Sequence, residues 1–156
     1  SYMKAAKVLG AMRAEVATLT SANKHNEEST WASAPQQNFA RLISYERAVL
    51  GLRPLKLEEK LSNSATGHSG DMARLGFFSH TSPVPGKKSF SDRARKAGFR
   101  GGPSGECIAA GQGSFSSAYE SWFYSDGHRH IMLAKGPSIL GFGVVSRHWT
   151  LVTGRM

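Results

Sequence analysis

The chain has 156 residues, a single cysteine and a formal net charge of +9. That length suits one domain with a core of its own, and a lone Cys107 excludes an internal disulfide framework. With 40% hydrophobic and 20% charged residues the composition is globular; no segment approaches the ~18 consecutive apolar residues of a membrane span, and Ser1–Thr20 lacks the apolar core and cleavage site of a signal peptide.

Along the chain, Ala5, Val8, Leu9, Met12, Val16 and Leu19 recur at helical spacing, which predicts an amphipathic helix over Met3–Leu19. Thr20–Pro35 is polar apart from Trp31 and reads as a linker. Residues 1–34 are therefore expected to form an appendage, and residues 35–156 the domain proper. A helix of this length is marginal alone. Its stripe needs a cover: either the chain's own domain, if the helix folds back, or a second copy of the chain, giving a homo-oligomer, which is the favoured expectation.

Phe39, Leu42, Ile43, Arg47 and Leu50 continue a helix that stops at Gly51, ahead of Pro54. A second helix runs from about Glu58 to Leu75 with Leu61, Ala65, His68, Met72 and Leu75 on its apolar face, and Gly76 ends it. Ser79–Lys88 is loop, because Pro83, Pro85 and Gly86 forbid regular structure. Ser89 caps a short helix through Ala97. Glu106–Ala110 reads as a strand, Ser114 caps a helix carrying Phe115, Ala118, Tyr119 and Trp122, and Gly127–Leu133 is a helix or turn. Ile139–Val145 and Trp149–Thr153 are strands rich in β-branched and aromatic residues. Helices first and strands last predict an α+β layer architecture with a mainly antiparallel sheet.

The positive charge is densest from Lys87 to Arg100, where Lys87, Lys88, Arg93, Arg95, Lys96 and Arg100 face only Asp92. No aromatic platform is interleaved with it, and no helix-turn-helix or zinc-finger pattern accompanies it, which argues against nucleic acid. Solubility and attraction to an anionic surface remain.

Six histidines are present: His25, His68, His80, His128, His130 and His148. His80 ends the stretch Phe77-Phe78-Ser79-His80, between a helix and a proline loop. Glu106 begins a buried strand, where a lone carboxylate is costly and needs a partner. His128 lies in Asp126-Gly127-His128-Arg129-His130. Two imidazoles and a carboxylate from three distant segments could build an open zinc site, but no local metal motif is present, and spacing alone favours structural histidines. His68, on an apolar helix face, reads as core. His130 and His148 read as surface residues, and His25 falls in the expected linker. Cys107 beside Glu106 invites a nucleophile reading. Alternation along the strand, however, turns the two side chains apart, so a small buried thiol is the simpler account.

Taken in order, these segments resemble the CAP superfamily of cysteine-rich secretory proteins, antigen 5 and pathogenesis-related proteins, in a bacterial, disulfide-free form. Asn38–Arg47 with Gly51-Leu52-Arg53-Pro54-Leu55 resembles the family's opening helix. Leu61–Ala73, with His68-Ser69-Gly70-Asp71-Met72-Ala73, resembles the next one. Phe77-Phe78-Ser79-His80, Asp92–Phe99, Gly105-Glu106-Cys107-Ile108-Ala109, Trp122–Arg129 and Gly141-Phe142-Gly143-Val144 follow in the family's order. The resemblance covers about residues 36–154. It implies a three-layer α-β-α sandwich with a mainly antiparallel central sheet and a cavity lined by His80, Glu106 and His128. In some family members that cavity holds a divalent metal, for which zinc is the first choice here. Three departures stand out. Ser125 occupies the place of a second glutamate, which Asp126 replaces only if its loop bends inward. Cys107 replaces an asparagine, and Leu151 replaces a glutamine.

Two functions follow from the resemblance. The first is a secreted, periplasmic or cell-surface binding module, with a groove for a lipid or cell-wall ligand beside the His/Glu cavity. The second is a metal-assisted hydrolase, with His80 and His128 as ligands and Glu106 as ligand or general base.

Overall fold

The computed structural model describes residues 2–156. In chain order the elements are α1 (Tyr2–Glu28), α2 (Ala34–Val49), β1 (Lys56–Leu57), α3 (Glu59–Leu75), α4 (Phe90–Lys96), β2 (Gly102–Ala110), α5 (Phe115–Phe123), α6 (Asp126–Met132), β3 (Ile139–Val145) and β4 (His148–Arg155). The helix ends follow the sequence chemistry. Ser33 and Gln36 form a reciprocal capping box ahead of Pro35 at the start of α2, and Ser89 and Asp92 form another on α4. Gly76, at φ 67°, closes α3 in the left-handed conformation that a side chain resists.

The sheet has the order β1-β3-β4-β2. β4 pairs antiparallel with both β3 and β2, whereas the two-residue β1 pairs parallel with β3, so the sheet is mixed. Sequence patterning missed β1 because two residues carry no period. It also shortened β2 and β4, whose glycine-bearing ends look like turn.

The layers follow from strand alternation. Cys107, Leu140, Phe142 and Leu151 pack with Phe39, Ala118 and Trp122 under α2 and α5. Ile139 and Val152 pack with Leu61, Ala65 and Ala94 under α3 and α4. Together these make the expected α-β-α sandwich. Gly141 and Gly143 let α3 lie directly on β3: a Cβ at either position would run into the helix backbone at Leu61 or Thr66.

The expected linker is largely helix. α1 continues to Glu28, and its last turns dock on the domain. Asn26, 1% exposed, receives the Leu57 N–H on Oδ1 at 2.7 Å and donates Nδ2–H to the Leu55 carbonyl at 3.1 Å. The His25 ring nitrogen Nε2 donates to the Leu57 carbonyl at 2.9 Å. Two polar side chains thus take the place of a neighbouring strand along the outer edge of β1. Polarity here signals an edge cap rather than a tether. Further back, Val8, Leu9, Met12 and Val16 are exposed.

Candidate functional site

The site forms at the outer edge of β2, where the loop after α3, helix α4 and helix α6 meet. Strand alternation points Glu106 into the α3/α4 layer and Cys107 into the α2/α5 layer. Glu106 is 4% exposed and does not stand alone. Arg93, on α4, donates Nη2–H to its Oε2 at 2.6 Å, in a pair with both side chains 2% exposed. His80 donates Nδ1–H to its Oε1 at 2.8 Å. The partner that a carboxylate in this place needs is therefore an arginine as well as a histidine. The same guanidinium donates Nη1–H to the carbonyls of His80, Lys87 and Lys88 at 3.0–3.2 Å, and so fixes both ends of the Ser79–Lys88 loop.

With Nδ1 committed to a carboxylate, His80 presents Nε2 outward from a side chain 54% exposed. His128 is half-buried on α6. Its Nδ1 shares a hydrogen bond with Ser125 Oγ at 2.8 Å, so Nε2 is its free nitrogen too. Burial, and then the nearby positive charge that His80 can carry, hold the His128 pKa below its ordinary 6.5. His80 bonds Glu106 directly, and His128 lies near enough to His80 to feel its charge. Glu106 is a buried anchor with both oxygens engaged rather than a free ligand. Among the described residues no three His, Cys, Asp or Glu side chains are grouped to hold an ion.

Asp126 does not turn inward to replace the missing glutamate. Its side chain is 93% exposed and pairs with Arg129. Ser125, in the glutamate's place, serves His128 instead. Cys107 is fully buried, with Sγ 3.8 Å from the His128 carbonyl, and burial followed by the charge of Glu106 pushes the thiol up to about 12. A thiol this basic is no nucleophile at neutral pH. His68 is fully buried, as expected, and donates Nε2–H to the Ser79 carbonyl at 3.0 Å.

Sequence reasoning missed the roles of two arginines. Arg93 was absorbed into a count of surface charge, although a buried glutamate was already asking for a cation. Arg47, fully buried on α2, donates Nη1–H to the carbonyls of Met132 and Ala134 at 2.7 and 2.9 Å and Nε–H to that of Arg53 at 2.8 Å. It therefore ties down the C-terminal end of the helix that carries His128. Burial, and then Arg53, lower its pKa to about 10, so it remains charged at neutral pH.

Known proteins agree with this architecture. A family profile described as the cysteine-rich secretory protein family, CAP, matches residues 40–150. The protein YkwD of Bacillus subtilis (strain 168), described as uncharacterized, is 33% identical over 129 residues, which is 83% of this chain and 49% of that protein. The protein YlbC of the same organism, described as an uncharacterized membrane protein, is 34% identical over 115 residues, or 74% of this chain and 33% of that protein. The chain thus spans half or less of the curated relatives it matches. Among solved structures, an extracellular SCP-domain protein of Bacillus anthracis superposes with a TM-score of 0.73 at 30% identity, over 77% of this chain and 40% of that one. An outer surface protein of Borrelia burgdorferi shares the fold at 15% identity, with a TM-score of 0.67, over 78% of this chain and 92% of that one. With seven sequence motifs in order, a three-layer sandwich and a family profile over more than half its length, the chain belongs to the cysteine-rich secretory protein (CAP) family.

Proposed function

We propose that this chain is an extracytoplasmic binding module that captures an anionic cell-envelope ligand, a lipid head group or a cell-wall fragment, with a divalent cation held between His80 and His128. The observation that carries the reading is the paired commitment of the two Nδ1 atoms, to Glu106 and to Ser125, which leaves both Nε2 atoms free. Histidines that ligate metals are commonly oriented through their other nitrogen by a carboxylate or a hydrogen-bonding partner, and zinc suits imidazole donors. The residues fit a cation at two protein ligands rather than three. Such an ion supplies a positive centre with open positions for oxygen donors.

The chain's own residues account for the rest. Glu106 orients His80, Arg93 pairs with the second oxygen of Glu106, and Ser125 orients His128. The net charge of +9 favours an anionic partner. The extracellular SCP-domain protein of Bacillus anthracis supports a location outside the cytoplasm. The hydrolase reading has less behind it, because Glu106, its general base or ligand, has both oxygens bonded in the interior.

Sedimentation with purified bacterial sacculi, and separately with phosphatidylglycerol vesicles, tests the proposal. Zinc-dependent retention by one of the two, lost with chelator and in the His80→Ala/His128→Ala double variant, is the expected result. No retention, or retention indifferent to zinc and to both substitutions, would overturn it.

A further inference from the structure

Arg93 also lines a cavity of about 180 Å³, together with Ser64, Gly67, His68, Lys87 and Lys96. Three cations line it and no carboxylate does. Arg93 is committed to Glu106 and Lys87 to Asp71, at 2.7 Å. Lys96 has no carboxylate partner among the described residues and makes only a long contact, 3.4 Å, with the Pro85 carbonyl. An uncompensated positive charge therefore borders the cavity, at the centre of the basic stretch Lys87–Arg100.

Two of the lining side chains are buried and incomplete. His68 is fully buried, and its Nδ1 has no hydrogen-bond partner; Ser64 is 6% exposed, and its Oγ has none. A buried polar atom left unpaired costs about 1–3 kcal/mol, so both atoms call for a ligand. The chemistry of the missing partner can be read from His68. Its Nε2 faces the Ser79 carbonyl, which only accepts, so Nε2 carries the proton. In a neutral imidazole Nδ1 is then an acceptor, and its missing partner must be a donor. Burial, the largest influence on this ring, lowers its pKa and keeps it neutral.

Gly67 is the third sign. It sits inside α3, where glycine costs about 1 kcal/mol relative to alanine, and a Cβ built there meets nothing within 4 Å. Neither packing nor backbone geometry asks for glycine at this position. Gly67 is exposed at the rim of the cavity, so its missing side chain leaves that side uncovered.

We infer that this cavity is a site for a small oxyanion that also carries a proton donor, with hydrogenphosphate as the simplest example: Lys96 meets its charge, His68 Nδ1 accepts its O–H, and Ser64 Oγ completes the shell. The inference stands apart from the cation site, since it uses neither His80 nor His128.

Hydrogenphosphate and sulfate test it cleanly, because they match in charge and shape and only the first has an O–H at pH 7.5. Titration of the full chain with inorganic phosphate and with sulfate should show phosphate binding about ten-fold or more tighter, the factor one hydrogen bond supplies. Lys96→Gln should weaken both anions. His68→Phe should abolish the preference. Gly67→Met, which puts a side chain at the cavity without removing a charged group, should eliminate binding and leave thermal stability equal or higher, so lost binding cannot be put down to unfolding. No phosphate binding at millimolar concentration, equal binding of the two anions, or binding that survives Gly67→Met would overturn the inference.

Discussion

Replacing Arg93 by Met removes the buried partner of Glu106 and, with it, the three donations that pin the ends of the Ser79–Lys88 loop. With both side chains 2% exposed, water cannot screen what is left behind. Breaking a buried ion pair from one side costs about 3–5 kcal/mol, because the surviving charge stays in the interior. Against a total stability of about 5–15 kcal/mol that is a large fraction. At this chain length it lowers the melting temperature by roughly 6–20 °C. The double variant Arg93→Met/Glu106→Met discards both charges and keeps apolar volume in their place, so it should be less destabilised than Arg93→Met alone. Urea unfolding of the wild type, both single variants and the double variant gives the coupling directly. A single-variant loss below about 1 kcal/mol, or a double-variant loss equal to the sum of the two singles, would refute the claim that these residues form one buried unit.

Asn26→Ala leaves the Leu57 N–H buried without its acceptor, whereas the Leu55 carbonyl keeps the Ser44 hydroxyl at 3.0 Å; a loss of about 2 kcal/mol in urea unfolding is expected. Deleting residues 1–18 should leave stability unchanged and, if the exposed stripe is covered by a second copy, lower the mass seen by light scattering, whereas deleting residues 1–34 also strips Asn26 and should destabilise the domain. The Cys107 thiol, raised to about 12 by burial, should resist alkylation at pH 8 until the protein is unfolded. His68 and His128 both have folded pKa values below the ordinary 6.5, so the unfolded chain binds more protons as pH falls through that value. Their contribution to stability is therefore complete above pH 6.5 and is lost below it. Chemical unfolding at pH 7.5 and pH 5.5 should show the drop, and His68→Phe should reduce it.

The long periodic elements were legible in the sequence. α3, from its apolar face to the Gly76 stop, and β3, over Ile139–Val145, stand where periodicity put them. What patterning could not see were features whose cause lies across the fold. Residues 20–28 look like linker because two of their polar side chains, His25 and Asn26, serve the backbone at β1, about thirty residues away. β1 is too short to show a period, and its parallel pairing makes the sheet mixed. At the site, the ordered motifs singled out His80, Glu106 and His128, but residue type alone could not distinguish a carboxylate that ligates from one that orients. That distinction rests on Arg93, which competes for the second oxygen of Glu106. Ser125 stands where the family pattern has a glutamate, and its hydroxyl turns out to hold His128.

Calorimetric titration of zinc into metal-freed protein at pH 7.5 tests the account's central claim, that His80 and His128 form a cation site through their free Nε2 atoms. The account predicts one equivalent bound by the wild type, none by His80→Ala or His128→Ala, and about ten-fold weaker binding by Ser125→Ala, in which His128 loses the partner that orients it. Wild-type protein that binds no zinc, or a His128→Ala variant that binds it as tightly as the wild type, would contradict the claim.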